Sequence, residues 1–439
     1  MLRKKVIAAV STVAIAGSIA FTGNALADKG YNFSFKPIDS SANSNDWNAT
    51  APWKLPYGFT QRLVSGESAL NIYDASRDDW NDMNTVNETG KDAGRYMYRT
   101  HEVRGEPEGG AVSVVDLKTG NTKVLAQDPT WNAVDGIRWT PWGTVLIAEE
   151  VEGGRLFEIK LNSNDLMKAD EVIDRPAVGR LAHEGIDVDS GGNVYVVDEH
   201  RGESQGCSLG TPCGGGVYKF VPDTFGDLSS GKLYALKVNG LDGVGQGSWV
   251  GPIDPFNARE SGTSAGGTSY QRPEDVEIID DTLYVAVTEG PRAQGTGKEV
   301  YEARVIAVNL KTMAVTNFIK PGVNVPVEIG RPGDANHQSG WDSVDNLAEA
   351  PDGSLVIIED NVPSDIWFAS TKTNEFGASK QVELFASLAD PEAEGTGIYF
   401  SPLDPRTLYV NIQHSAAPDG DGTWAITRAG HGHWFHDNH

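Results

Sequence analysis

Apolar and polar residues alternate along short stretches of this chain, and turn-forming residues interrupt them every few positions. In "HEGIDVDSGGNVYVVDE", residues 183–199, Ile186 and Val188 alternate with Asp187 and Asp189. A Ser-Gly-Gly-Asn turn follows and "VYVV" returns, which predicts an antiparallel hairpin. The same pattern fills "VDGIRWTPWGTVLIAEE" (134–150) and "VDNLAEAPDGSLVIIED" (344–360). Looser copies are "PEDVEIIDDTLYVAVTE" (273–289) and "EGTGIYFSPLDPRTLYVNIQH" (394–414). A sixth hairpin ends in "RYMYRTHEV", carrying His101 and Glu102. Helical periods are scarce by comparison, so the chain reads as all-β.

Further strand pairs follow several of these hairpins, as in "GGAVSVVDLKTGNTKVL", "GGGVYKFVPD" and "ARVIAVNLKTMAVTNFI". Units of about four strands recurring at roughly fifty residues are the mark of propeller blades. The expected fold is therefore a six-bladed β-propeller with a metal cluster at one mouth of the central channel. The wider gap at 225–270, rich in Gly and Ser, is expected to form surface loops. The propeller is placed at 76–428, after a signal peptide (1–27) and an extension (28–75) packing on it; a His-rich tail (429–439) closes the chain.

The hairpins carry acids at their free ends. Asp135 and Glu149, Glu184 and Asp198, and Asp345 and Glu359 are each fourteen residues apart, and a second acid follows each time: Glu150, Glu199 and Asp360. Glu274 and Glu394 open two further copies. Both ends of a hairpin lie at the same edge of the sheet. Because side chains alternate faces, one acid of each adjacent pair should turn inward, though spacing leaves open which. In a propeller such residues meet at one mouth of the channel, where unpartnered carboxylates cannot all ionise. Bound cations are the expected partner.

Composition narrows the partners. The net charge of −25 argues against nucleic acid. It fits an acidic exported protein, and equally carboxylates gathered around hard cations such as calcium. Arg3, Lys4 and Lys5 precede an apolar run that ends near "ALA" at 25–27, the layout of a secretory signal peptide. An exported, periplasmic or extracellular monomer without a membrane span is expected. Cys207 and Cys213, in "CSLGTPC", would close a small disulfide loop in an oxidising compartment.

Taken in order, "NDMNTVNETGKDAGRYMYRTHE", "TPWGTVLIAEE", "GRLAHEGIDV" with "GGGVYKFVPD", "RPEDVEI", "DNLAEAPDGSLVIIED" and "SPLDPRTLYVNIQH" resemble the PhoX-type alkaline phosphatase family over about residues 81–414. That resemblance implies a propeller holding calcium and iron, and hydrolysis of phosphomonoesters. It implies metal roles for Glu184, Glu274 and the Glu149/Glu150 pair, and phosphate contact by Arg272, with Arg272 and Glu274 as catalytic residues. A guanidinium suits this task because its planar fork matches phosphate oxygens. The chain departs from the family at Asp135, which stands where the family has a cysteine iron ligand. A carboxylate there hardens the site and favours Ca2+, magnesium or manganese over Fe3+.

The full candidate metal set is Asp135, Glu149, Glu150, Glu184, Asp198, Glu199, Glu274, Asp345, Glu359, Asp360 and Glu394. "GTSAG" (262–266) lacks the strand-turn-helix setting of a nucleophile elbow, and "GVGQG" (243–247) lacks the βαβ setting of a dinucleotide loop. The leading expectation is a secreted metal-dependent phosphoric monoester hydrolase acting on a small-molecule phosphoester. The rivals are a calcium-dependent propeller esterase or lactonase, and a calcium-stabilised extracellular binding module.

Overall fold

Each hairpin expected from the alternation is the inner half of a four-stranded antiparallel meander. The computed structural model describes residues 35–70, 80–104, 109–202, 214–289, 303–328 and 340–429. Blade I comprises Asn81–Val86, Tyr96–His101, Ala111–Asp116 and Thr122–Gln127. Blade II comprises Val134–Trp139, Val145–Glu149, Leu156–Asn162 and Asp165–Asp174. Blade III runs through Ile186–Val188, Val194–Val197, Val217–Thr224 and Asp227–Asn239. Blade IV runs through Gln271–Ile279, Thr282–Glu289, Arg304–Asn309 and Ala314–Ile319. Blade V contains Val344–Glu349, Leu355–Glu359, Asp365–Ala369 and Val382–Leu388. Blade VI contains Glu394–Phe400, Thr407–Gln413 and Gly422–Arg428.

The innermost strands touch in a closed circuit, I to II and onward through VI back to I. Their approach is close. A Cβ on Gly136 would stand 1.8 Å from the Glu184 carbonyl oxygen, and one on Gly185 would stand 2.4 Å from Asp275 Oδ1. Glycine is used at both places because neighbouring backbone leaves no room for a side chain. Apolar faces of adjacent blades fill the space between them, as where Phe368, Phe385, Phe400 and Trp424 join blades V and VI.

The expected 28–75 extension is in part propeller. Phe59–Gly66 pairs with Gly422–Arg428, placing Leu63 opposite Trp424, and so supplies the fourth strand of blade VI. Sealing the last sheet with an early strand removes an exposed edge and ties the ring shut. Trp53–Lys54 adds to the outer edge of blade V. The 225–270 segment also departs from expectation. It forms two long strands, Asp227–Asn239 and Gly245–Ile253, and a helix, Ala258–Ser264, rather than surface loops. Gly245, Gly247 and Gly251 interrupt the apolar alternation there, which hid the second strand from a period-based reading. That strand joins blades III and IV into one continuous sheet.

A buried polar network ties the inner strands together. Asn84 Nδ2 donates to the Gly397 carbonyl at 2.7 Å and to Asn411 Oδ1 at 3.0 Å, while Asn346 Oδ1 accepts from Gly397 N at 2.6 Å. Asp275 Oδ2 accepts from Leu347 N at 2.8 Å. Buried polar groups persist when paired in this way. Beyond the network lies a cavity of about 350 Å³, with Arg138 held between Asp187 at 2.8 Å and Glu277 at 3.0 Å. No helix among the described residues is long and apolar enough to cross a membrane. The expected signal peptide, the Cys207–Cys213 pair and positions 430–439 of the His-rich tail lie outside the described residues.

Candidate metal centre at the channel mouth

Strand register decides which acid of each pair enters the channel. Val134 pairs with Glu149 and Val344 pairs with Glu359. Cross-strand partners share a face and the next residues take the other. Asp135 therefore shares its face with Glu150, and Asp345 with Asp360. In blade I, Asn81 pairs with His101, which puts Asp82 beside Glu102 by the same rule. A repeated backbone bond fixes the second acid. Glu102 N donates to Trp80 O at 2.9 Å, Glu150 N to Ala133 O at 2.8 Å, Glu199 N to Ala182 O at 2.8 Å and Asp360 N to Ser343 O at 2.7 Å.

Backbone strain recurs at the same place. Trp80, Ala133, Arg272 and Ser343 have φ of 45°, 48°, 54° and 43°. Each stands two residues ahead of an inner-strand acid: Asp82, Asp135, Glu274 and Asp345. A non-glycine residue in the left-handed region costs about 1–2 kcal/mol. Four such positions in register show that the turn into the inner strands of blades I, II, IV and V is held against its preference where the acids converge.

Glu149, Asp198 and Glu359, expected as metal ligands, stand outside the two acid groups at the mouth and meet protein donors. Glu149 accepts from Asn132 N at 2.9 Å, from Arg155 N at 3.0 Å, and from Arg155 Nε and Nη2, both at 2.7 Å. Asp198 accepts from Ala182 N at 3.0 Å and from Arg259 Nε and Nη2 at 2.6 and 2.7 Å. Glu359 accepts from Asp342 N at 3.1 Å and Trp367 Nε1 at 3.0 Å. Facing away from the channel, these carboxylates are committed to protein donors.

The other expected acids come together. Ligand atoms of Glu102, Asp135 and Glu150 lie within 4.8 Å of one another, as do those of Glu184, Glu199 and Glu274. The carboxyl groups of Glu150 and Glu199 lie against each other and so link the two groups. Asp345 lies against Glu184, and Asp360 lies against Glu394. Every blade thus sends acid to one mouth. Asp82 and Glu102 were absent from the expected set. The signal was present in the sequence, in "NDM" and "THE", but the longer 81–102 spacing concealed the repeat.

Burial and mutual repulsion leave this centre short of positive charge. Desolvation, followed by like-charge neighbours, raises Asp82, Asp135, Glu184 and Glu394 well above the usual carboxyl range. Burial above all pushes Glu150, Glu199, Glu274 and Asp345 up to about 8. Asp360 alone among them moves down; burial would raise it, but the Glu394 hydrogen bond and the Arg272 charge outweigh that. Among the described residues, Asp135 Oδ1, Glu184 Oε2 and Glu274 Oε2 are buried and receive no hydrogen bond, while Glu274 Oε1 stands 3.0 Å from Arg272 Nε. Orphaned carboxylate oxygens at this spacing suit a hard cation.

Among the described residues, the guanidinium groups of Arg272 and Arg104 face these acids. Arg272 contacts Glu199 through Nε, which also stands 3.0 Å from Glu274 Oε1, while Nη1 is 3.5 Å from Asp360. Arg104 contacts Glu102 and lies 2.8 Å from Glu150 Oε2. His414 Nε2 stands 3.6 Å from Glu394. His183, next to Glu184, is buried with Nε2 3.1 Å from the Gly179 carbonyl, consistent with a packing role.

The chain is similar to known proteins. The profile of a family described as alkaline phosphatase PhoX matches residues 154–416. No curated protein sequence matches the chain. Among solved structures, PhoX of Pseudomonas fluorescens in complex with vanadate is similar at a TM-score of 0.60 and 18% identity, covering 90% of this chain and 98% of that one. A gluconolactonase of Xanthomonas campestris is 13% identical with a TM-score of 0.45, covering 89% and 98%. A soluble aldose sugar dehydrogenase of Escherichia coli is 15% identical with a TM-score of 0.45, covering 84% and 99%.

Proposed function

The chain belongs to the PhoX alkaline phosphatase family, and from that premise we propose that it is an exported, calcium-dependent hydrolase of phosphoric monoesters. The observation that carries this reading is the pair of three-carboxylate groups at one mouth, with Arg272 among the acids of the second. Glu102, Asp135 and Glu150 would hold one cation and Glu184, Glu199 and Glu274 another, with Asp345, Asp360 and Glu394 close by. Bound cations would supply Lewis-acid charge to the phosphoryl and leaving-group oxygens. The described donors are carboxylate oxygens, Asp135 included, and this supports calcium over iron as the principal ion.

Arg272 would grip the phosphoryl group. Its side chain is mostly buried, and its charge is secured by Glu274, Glu199 and Asp360 against the cost of desolvation. Its backbone is left-handed, with φ of 54°, and its guanidinium meets Glu199 and Glu274. With Glu199 and Glu274 holding a cation, the planar fork of Arg272 would be free to meet phosphate oxygens. The buried walls exclude water and strengthen each of these interactions.

The test is hydrolysis of a chromogenic phosphomonoester by purified protein, before and after chelation and after refilling with calcium, alongside metal analysis of the protein as isolated. Turnover lost on chelation and restored by calcium supports the reading. Calcium bound without turnover across a broad pH and metal screen would leave a non-catalytic binding module.

A further inference from the structure

Arg104 is placed unlike the other arginines near the mouth. Arg155 and Arg259 each turn Nε and Nη2 onto a buried carboxylate, Glu149 and Asp198 respectively. Arg104 uses only Nη2, which reaches both Glu102 and Glu150. Its Nε and Nη1 make no hydrogen bond among the described residues, and its side chain is 48% exposed. A guanidinium anchored by one nitrogen, with its remaining donors turned to solvent, is pre-organised to receive an anion.

Its position relative to Arg272 is equally specific. Arg104 touches Glu150, Glu150 touches Glu199, and Glu199 touches Arg272. The two guanidinium groups therefore stand at opposite ends of a row of two carboxyl groups. Arg272 is the deeper, with 19% of its side chain exposed. With a phosphoryl group seated on Arg272, the exposed donors of Arg104 are left for a second anionic group on the same molecule.

Building on the phosphoester reading, we infer that Arg104 forms a rim subsite for a second anion, and that the preferred substrates carry an additional phosphate or carboxylate on the leaving group. Charge-assisted hydrogen bonds of this kind contribute enough to change affinity by about tenfold.

The experiment is calorimetric titration of the calcium-loaded protein with propylphosphonate and with 3-phosphonopropanoate, which differ by one terminal carboxylate. The wild type should bind 3-phosphonopropanoate about tenfold more tightly. In Arg104→Gln that ratio should fall to near one, and Arg104→Lys, which keeps the charge without the fork, should retain part of it. A wild-type ratio near one overturns the inference, as does a tenfold ratio that survives in Arg104→Gln. If neither phosphonate binds the wild type, the phosphoester reading falls and the subsite falls with it. Melting curves of both variants establish that the proteins compared are folded, and the lysine variant keeps the test alive if the glutamine variant is not.

Discussion

Asp198 and Glu199 adjoin in sequence and serve opposite sides of one strand. Arg259 grips Asp198 through Nε and Nη2 at 2.6 and 2.7 Å, while Glu199 meets Arg272 of blade IV and Glu150 of blade II at the channel mouth. The first carboxylate locks the blade to helix Ala258–Ser264, and the second is presented to the centre. Glu149/Glu150 and Glu359/Asp360 repeat this division.

Arg259→Ala should therefore act on folding. Asp198 is fully buried, and removing its partner leaves an uncompensated charge, at a cost of about 3 kcal/mol. Denaturant unfolding of the variant should show this loss, whereas Glu199→Gln should leave stability largely intact and weaken calcium binding.

Glu150→Gln removes a negative charge from an overcrowded group. In the metal-free protein at pH 8 it should raise the melting temperature, because Glu102 no longer faces a second charge. Calcium affinity, measured by calorimetry, should fall at least tenfold. A variant that binds calcium as well as the wild type would remove Glu150 from the centre.

Stability of the metal-free protein should decline with rising pH. Glu150, Glu199, Glu274 and Asp345 titrate near 8 when folded, mainly through burial, against about 4 in the unfolded chain. Their contribution is complete below about pH 4 and is lost as pH climbs through 8, because over that window the folded state holds protons the unfolded chain has released. Cations replace those protons, so the rise in melting temperature on adding calcium should be larger at pH 9 than at pH 5. Melting scans with and without chelator check the sign.

Gly136→Ala should disrupt the centre from a distance. Its new methyl would strike the Glu184 carbonyl, which stands 1.8 Å away, and force the inner strands of blades II and III apart. A loss of about 2 kcal/mol is expected, with weakened cation binding through displaced Glu184. Chemical denaturation and calcium titration of the same sample measure both.

Arg272→Lys keeps the charge and loses the fork. If Arg272 clamps the phosphoryl group, kcat/KM for a phosphomonoester should drop at least about a hundredfold while bound calcium, measured by metal analysis, stays unchanged. An equally active variant would reassign the clamp.

The alternation of Ile186 and Val188 with Asp187 and Asp189, repeated along the chain, was enough to establish an all-β protein of recurrent hairpins with acids at one edge. That is local information: period two and turn residues are written in contiguous segments. Three matters needed the folded chain. The partnership of Phe59–Gly66 with Gly422–Arg428 joins residues from opposite ends of the sequence, and no local pattern encodes such pairing. The choice between Glu149 and Glu150 depends on register and on Arg155, whose grip follows from how the next strand packs. Asp82 and Glu102 became legible as members of the centre only once the ring closed, since a longer loop broke their spacing. Sequence alone determined which residue types recur and how often; closure of the ring decided which carboxylates meet, because only there does burial bring like charges close enough to require a cation.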